Sequence, residues 1–140
     1  MESEEFSLLD AAGDARLRLR APGLPGLFRA ALQGFTSLIT DPAAVRPTDP
    51  VPVRLEAGNR EELLVAWLNE LVFLLDTREF LPAHADMGKI SEKSLEATIY
   101  GERLKPARHE RRLLVKAATY HGLYIRETEE GLTGEVTLDL

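Results

Sequence analysis

The sequence contains no cysteine. That absence removes disulfides, a thiolate metal site and a cysteine nucleophile together. It has no run of 18 or more apolar residues, so no segment reads as a membrane-spanning helix. Basic residues are outnumbered, with 17 Lys and Arg against 23 Asp and Glu and a formal net charge of −6. Proteins that grip nucleic acid by its phosphates usually carry a basic surface, because counterion release supplies much of their affinity. The acidic balance argues against direct nucleic-acid binding, and any RNA is expected to be met through a partner. The opening Met1-Glu2-Ser3-Glu4-Glu5 is acidic where a secretory signal or organelle presequence would be basic. A cytoplasmic protein is the expectation. Familiar catalytic signatures are also missing: there is no Gly-x-Ser-x-Gly elbow, no phosphate-binding loop ending in Lys-Ser/Thr, and no His-Glu-x-x-His. The three histidines, His84, His109 and His121, lie far apart without metal-ligand spacing. They could converge in space on zinc, but scattered surface or turn histidines are the commoner arrangement.

What is present reads as one globular domain. Hydrophobic residues make up 44% and charged residues 29% of 140 residues, a composition that can bury a core without staples. No repeat or long linker divides residues 1–140, so a single domain is expected. Ala15, Leu17, Leu19 and Ala21 alternate with Arg16, Arg18 and Arg20, the period of a half-buried strand. The three arginines would share a face, either a small phosphate-facing patch or, more simply, a solvated exterior. From Pro25 to Ile39 the apolar residues recur at helical spacing, and Pro25 suits a first turn, where its missing N–H costs nothing. The proline-rich stretch from Thr40 to Pro52 feeds a strand carrying Val51, Val53 and Leu55.

Asn59 reads as a helix N-cap with Glu62 completing a capping box. The following helix carries Leu63, Leu64, Trp67, Leu68, Leu71, Val72 and Leu75. This stripe could dock a partner, but a domain so small needs both helices for its core. After Asp76-Thr77 the period is two. Leu95, Ala97 and Ile99 mark one strand, Leu113, Val115 and Ala117 a second, Leu123 and Ile125 a third, and Val136 and Leu138 a fourth. Glu129-Glu130-Gly131 is expected to close a hairpin between the last two. The fold class is therefore α+β: two amphipathic helices packed on a mainly antiparallel sheet.

Three polar features stand out. Arg108-His109-Glu110-Arg111-Arg112 is a dense charge cluster, able to meet an acidic partner or a phosphate but more simply exposed charge ahead of a strand from Leu113 to Thr119. Lys116 falls within that strand, opposite Leu113, Val115 and Ala117. Asp139, followed by the terminal carboxylate of Leu140, would put oxygen donors together if the last strand is ordered to its end. A frayed terminus is the plainer alternative.

These segments together resemble the archease family. The most specific stretch is Gly101-Glu102, Arg108-His109-Glu110, then Val115-Lys116-Ala117-Ala118-Thr119-Tyr120-His121-Gly122-Leu123. It is similar to the family's Gly-Glu, Arg-His and Val-Lys-Ala-x-Thr-Tyr-His-Gly-Leu in order and spacing. Leu38-Ile39-Thr40-Asp41-Pro42, Trp67-Leu68-Asn69-Glu70-Leu71 with Asp76-Thr77 and Phe80-Leu81, and Leu138-Asp139-Leu140 match further family segments in register.

The resemblance implies an accessory protein, not an enzyme. Its partner would be an RtcB-type RNA ligase of tRNA splicing and RNA repair, whose guanylylation and multiple turnover it would promote. The alternative is a chaperone-like interaction module that has lost the ligase role. Carried over residue by residue, the resemblance implies a divalent cation, calcium by preference, on Asp14, Asp139 and Leu140, with Lys116 facing the partner. Two carboxylates held close repel each other, and a cation between them would offset that repulsion. One departure concerns the same site. Where the family has His-Thr-Ala-Asp, this chain has Ala11-Ala12-Gly13-Asp14. The acidic opening of the family's first helix is likewise replaced, by Pro22-Gly23-Leu24-Pro25-Gly26.

Overall fold

A computed structural model describes residues 4–11 and 13–140. Met1, Glu2 and Ser3 of the acidic opening, and Ala12 of the altered motif, lie outside the described residues. Among the described residues, seven strands and two α-helices follow in the order β1 (Glu5–Ala11), β2 (Asp14–Ala21), α1 (Leu24–Ile39), β3 (Asp49–Glu56), α2 (Arg60–Arg78), β4 (Phe80–Ile90), β5 (Ser94–Arg103), β6 (Ala117–Thr128) and β7 (Gly131–Asp139). A short 3₁₀ turn spans Pro42–Ala44. The strands form two antiparallel sheets, one ordered β1-β2-β7-β6 and the other β3-β5-β4. Each helix packs against both sheets, so the α+β reading holds.

The alternation in β2 does what its period requires: Ala15, Leu17, Leu19 and Ala21 are buried. In α1, Leu27, Phe28, Ala31, Leu32 and Phe35 turn inward. In α2, Leu63, Leu64, Trp67, Leu68 and Leu71 do the same, which assigns the apolar stripe to the core. Trp67 is fully buried, and its indole N–H donates to the Phe28 carbonyl at 2.9 Å, so the largest side chain brings no orphan donor inside. Asn59 caps α2 as expected, accepting from the Glu62 N–H at 2.8 Å. Glu62 reaches back to the Gly58 N–H at 3.4 Å, one residue before the cap.

Two strands were not foreseen. β1 pairs with β2 and begins Glu-Phe-Ser-Leu, but Leu9 interrupts the alternation. β4 carries Pro82, His84, Asp86 and Gly88, and its ladder breaks register between Pro82 and His84. Proline and glycine dilute a strand signal because one removes a ladder donor and the other a packing side chain.

The expectation for Leu113–Thr119 is corrected. β6 begins only at Ala117, and Leu113 and Leu114 are exposed rather than half-buried. The main chain before it is used otherwise. The Arg112 and Leu113 N–H groups donate to the Ile39 and Leu38 carbonyls, and the Arg112 guanidinium donates to the Ser37 carbonyl at 3.0 Å. These are the orphan acceptors at the end of α1, whose last turn holds no basic residue of its own. The end of the expected Leu113–Thr119 strand and the one through Leu123 are instead a single strand, β6, interrupted by a bulge. Thr119 pairs with Thr137 and Tyr124 with Glu135, so Tyr120 to Leu123 face the one residue Val136. The Thr137 hydroxyl holds the bulge by donating to the His121 carbonyl at 2.9 Å. Glu129 and Glu130 do close the hairpin, with Thr128 opposite Gly131.

Candidate functional site

The central strands β2 and β7 bring the two ends of the chain together. In their ladder Asp14 is the register partner of Asp139, and on the other side of β7 Asp139 is the partner of Ala117. Residues directly opposite in an antiparallel ladder project from the same face. Asp14 and Asp139 thus stand side by side on the face that carries Arg16, Arg18 and Glu135. β7 runs as far as Asp139. The next residue is held as well: the Leu140 N–H donates to the Gly13 carbonyl at 3.3 Å.

The Lys116 N–H donates to the Asp139 carbonyl at 2.8 Å. Lys116 precedes β6 rather than lying within a strand, and its side chain is exposed. Three residues singled out in the sequence therefore converge: Asp14 from β2, Asp139 from β7, and Lys116 from the approach to β6. Gly13, in the turn entering β2, has φ +80°, a conformation that glycine adopts without the penalty a Cβ brings.

The Oδ1 oxygen of Asp14 is buried and has no hydrogen-bond partner among the described residues. An acceptor withdrawn from water and left unpaired is costly, and a cation ligand would satisfy it. Among the described residues no three His, Asp or Glu side chains are grouped to hold a metal. Any cation here would draw on the two aspartates, main-chain oxygen at Leu140, and water, a set that suits a hard ion.

The other polar candidates take structural places. His109, expected at the surface or in a turn, is buried. Its Nδ1 accepts from the Lys105 N–H at 2.9 Å, which leaves Nε2 to donate to Glu102 at 3.0 Å. Glu102 is itself buried and also accepts from Arg108 and from the Arg46 N–H at 2.8 Å. The Arg108 hydrogen bonds hold the Glu102 carboxyl down to about 2. Burial opposes the shift, and Arg46 and His109 add to it. Arg108 and His109 are therefore not free surface charge; the pattern reading of that cluster holds only for exposed Glu110, Arg111 and Arg112. His84 stacks against Tyr100 and bonds Asp86 at 2.9 Å, and His121 sits in the bulge, so the histidines do not converge.

The arginine face is likewise tied internally. Arg16 and Arg18 both hold Glu135, which also accepts from the Tyr124 hydroxyl at 2.9 Å. Burial pushes the Glu135 carboxyl up, but the hydrogen bonds from Arg18, Tyr124 and Arg16 outweigh it and keep it below its ordinary value. No local pattern marks this network, because Glu135 looks like one more acid beside a hairpin.

Residues 6–140 match the model of the Archease protein family (MTH1598/TM1083). The chain belongs to the archease family. It is 32% identical over 138 residues to the protein archease of Saccharolobus solfataricus, covering 97% of this chain and 99% of that one. It is 33% identical over 139 residues to the protein archease of Methanothermobacter thermautotrophicus, covering 96% and 98%. The solution structure of Methanobacterium thermoautotrophicum protein 1598 superposes with a TM-score of 0.78 at 31% identity, covering 96% of this chain and 98% of that one. An archease from Thermotoga maritima, described as a possible chaperone, shares the fold with a TM-score of 0.67 at 13% identity and 94% coverage of both chains. No helix among the described residues is long and apolar enough to cross a membrane.

Proposed function

We propose that this archease is a cytoplasmic accessory protein of an RtcB-type RNA ligase, working through the surface formed by Asp14, Asp139 and Lys116. The observation that carries the reading is the register itself. It sets Asp14 opposite Asp139, leaves Asp14 Oδ1 buried without a partner among the described residues, and puts the Lys116 N–H on the Asp139 carbonyl. Asp14, Asp139 and Leu140 would hold a divalent cation, calcium by preference, and the cation would supply positive charge between two carboxylates. The chain's own part is to fix the two strand ends and to present the Lys116 ammonium to a phosphate or carboxylate of the partner. The GTP-dependent joining chemistry belongs to the ligase, and the chain needs no direct hold on RNA.

The test is the multiple-turnover rate of the organism's own ligase, with GTP and Mn²⁺, with and without catalytic amounts of this protein. Stimulation that disappears with Asp139→Ala or Lys116→Ala supports the reading. Equal turnover with and without folded protein sinks it.

A second reading is a chaperone-like interaction module that no longer serves the ligase. Ala11 and Ala12 in place of the family's histidine and threonine favour it. A pull-down in which the ligase is the main partner would remove it.

A further inference from the structure

We propose that Asn69 is the positioning residue of this surface: from α2, its side-chain amide holds the start of β6 so that Lys116 stands beside Asp139. The proposal rests on the reading above for the role of Lys116, but its structural part stands on contacts of its own. The Ala118 N–H donates to Asn69 Oδ1 at 2.8 Å, and Asn69 Nδ2 donates to the Ala118 carbonyl at 3.3 Å. Only one orientation of the amide satisfies both bonds. Asn69 thus serves both main-chain groups of one residue, as a neighbouring strand would.

The location makes this more than a helix-to-sheet contact. Among the described residues β6 is an edge strand, with β7 on one side and no strand on the other. At its first residues β6 passes the site, because Ala117 pairs with Asp139 and Ala118 with Leu138. Immediately before it the chain is irregular, held by the Arg112 and Leu113 N–H groups at the end of α1 and then by the Lys116 N–H on Asp139. Asn69 fixes the side of β6 that β7 leaves open, two residues beyond Lys116.

The residue type is demanding. Leucine has the size but neither bond, aspartate keeps the acceptor and loses the donor at neutral pH, and glutamine is one methylene longer. Asn69 belongs to the Trp67-Leu68-Asn69-Glu70-Leu71 segment, in which Trp67, Leu68 and Leu71 are core residues. The only amide in that segment does not enter the core and bonds the strand that follows Lys116.

The experiment compares the full chain with Asn69→Leu by amide hydrogen exchange. We expect exchange at Lys116 and Ala118 to rise at least tenfold more than at Leu17 and Val136 in the centre of the same sheet. A uniform change across all four amides would identify a general stabilising contact and overturn the proposal, as would no change at Lys116. Should Asn69→Leu fail to fold, Asn69→Asp is the second variant, with a smaller opening at the same two amides expected and an unchanged pattern overturning the idea.

Ligase stimulation then tests the link to function. Asn69→Leu should reduce it, and the double variant with Lys116→Ala should be no worse than Lys116→Ala alone, because one residue acts through the other. Full stimulation by Asn69→Leu with those amides opened overturns the positioning role. If Lys116→Ala alone leaves stimulation intact, it is the ligase reading that fails, while the exchange result still decides whether Asn69 holds the segment.

Discussion

Asp14 and Asp139 stand directly opposite each other in the β2–β7 ladder, and the Oδ1 oxygen of Asp14 is buried without a partner among the described residues. Two acids far apart in the sequence are thus held at one position of the sheet.

A cation that relieves this pair must stabilise the folded chain. In a thermal-unfolding titration, Ca²⁺ at 100 times its dissociation constant should add about 2.7 kcal/mol and raise Tm accordingly. Asp139→Asn should abolish the shift while leaving the cation-free protein folded. An equal shift in the variant would show that the ion binds elsewhere.

Glu102 gives the fold an acid-sensitive latch. Its carboxyl is lowered from 4.5 to about 2, chiefly by Arg108. A depressed carboxyl contributes stability that is complete above the unfolded value and is lost as pH falls through the folded one. The window therefore runs from about pH 4.5 down to about pH 2, and the contribution is roughly 3 kcal/mol. Glu102→Gln should flatten the acid limb of the stability curve in that window. A limb of unchanged steepness would assign the acid sensitivity to other groups.

Gly101 is required for a close approach of two strands. A Cβ there would lie 2.0 Å from the Leu81 carbonyl oxygen and 2.8 Å from the Phe80 ring. Backbone cannot swing aside as a side chain can, so Gly101→Ala should cost about 3 kcal/mol or more by overpacking. Urea unfolding would read it as a lowered midpoint. A cost within about 0.5 kcal/mol, typical of a surface change, would show that β4 can move away.

Asn59 supplies a local contribution that can be measured by itself. Its side chain accepts from the Glu62 N–H at the start of α2. Asn59→Ala should destabilise the protein by about 1 kcal/mol, and Asn59→Gly by a few tenths. Equal costs for the two would point to lost surface packing rather than a lost cap.

The sequence by itself determined the elements whose signal is local. The alternation through Leu17 and Leu19, the helical spacing through Phe28 and Trp67, and the Asn59 cap each report the burial or hydrogen bonding of a single segment, and each is found in place. The family was also legible, because its motifs are runs of adjacent residues. The tertiary structure alone decided which strands pair and in what register. It thereby set in register the Asp14–Asp139 pair that the family resemblance had only implied, and decided that Glu135 lies beneath Arg16 and Arg18 and that Glu102 is enclosed by Arg108 and His109. It also sent Leu113 and Leu114 to the surface, because the main chain there completes the end of α1 instead of a ladder. The physical reason is that periodicity records which face of an element is apolar, whereas register and the satisfaction of a buried charge are properties of a pair. One partner of such a pair, seen alone, looks like any other acid or base on a surface.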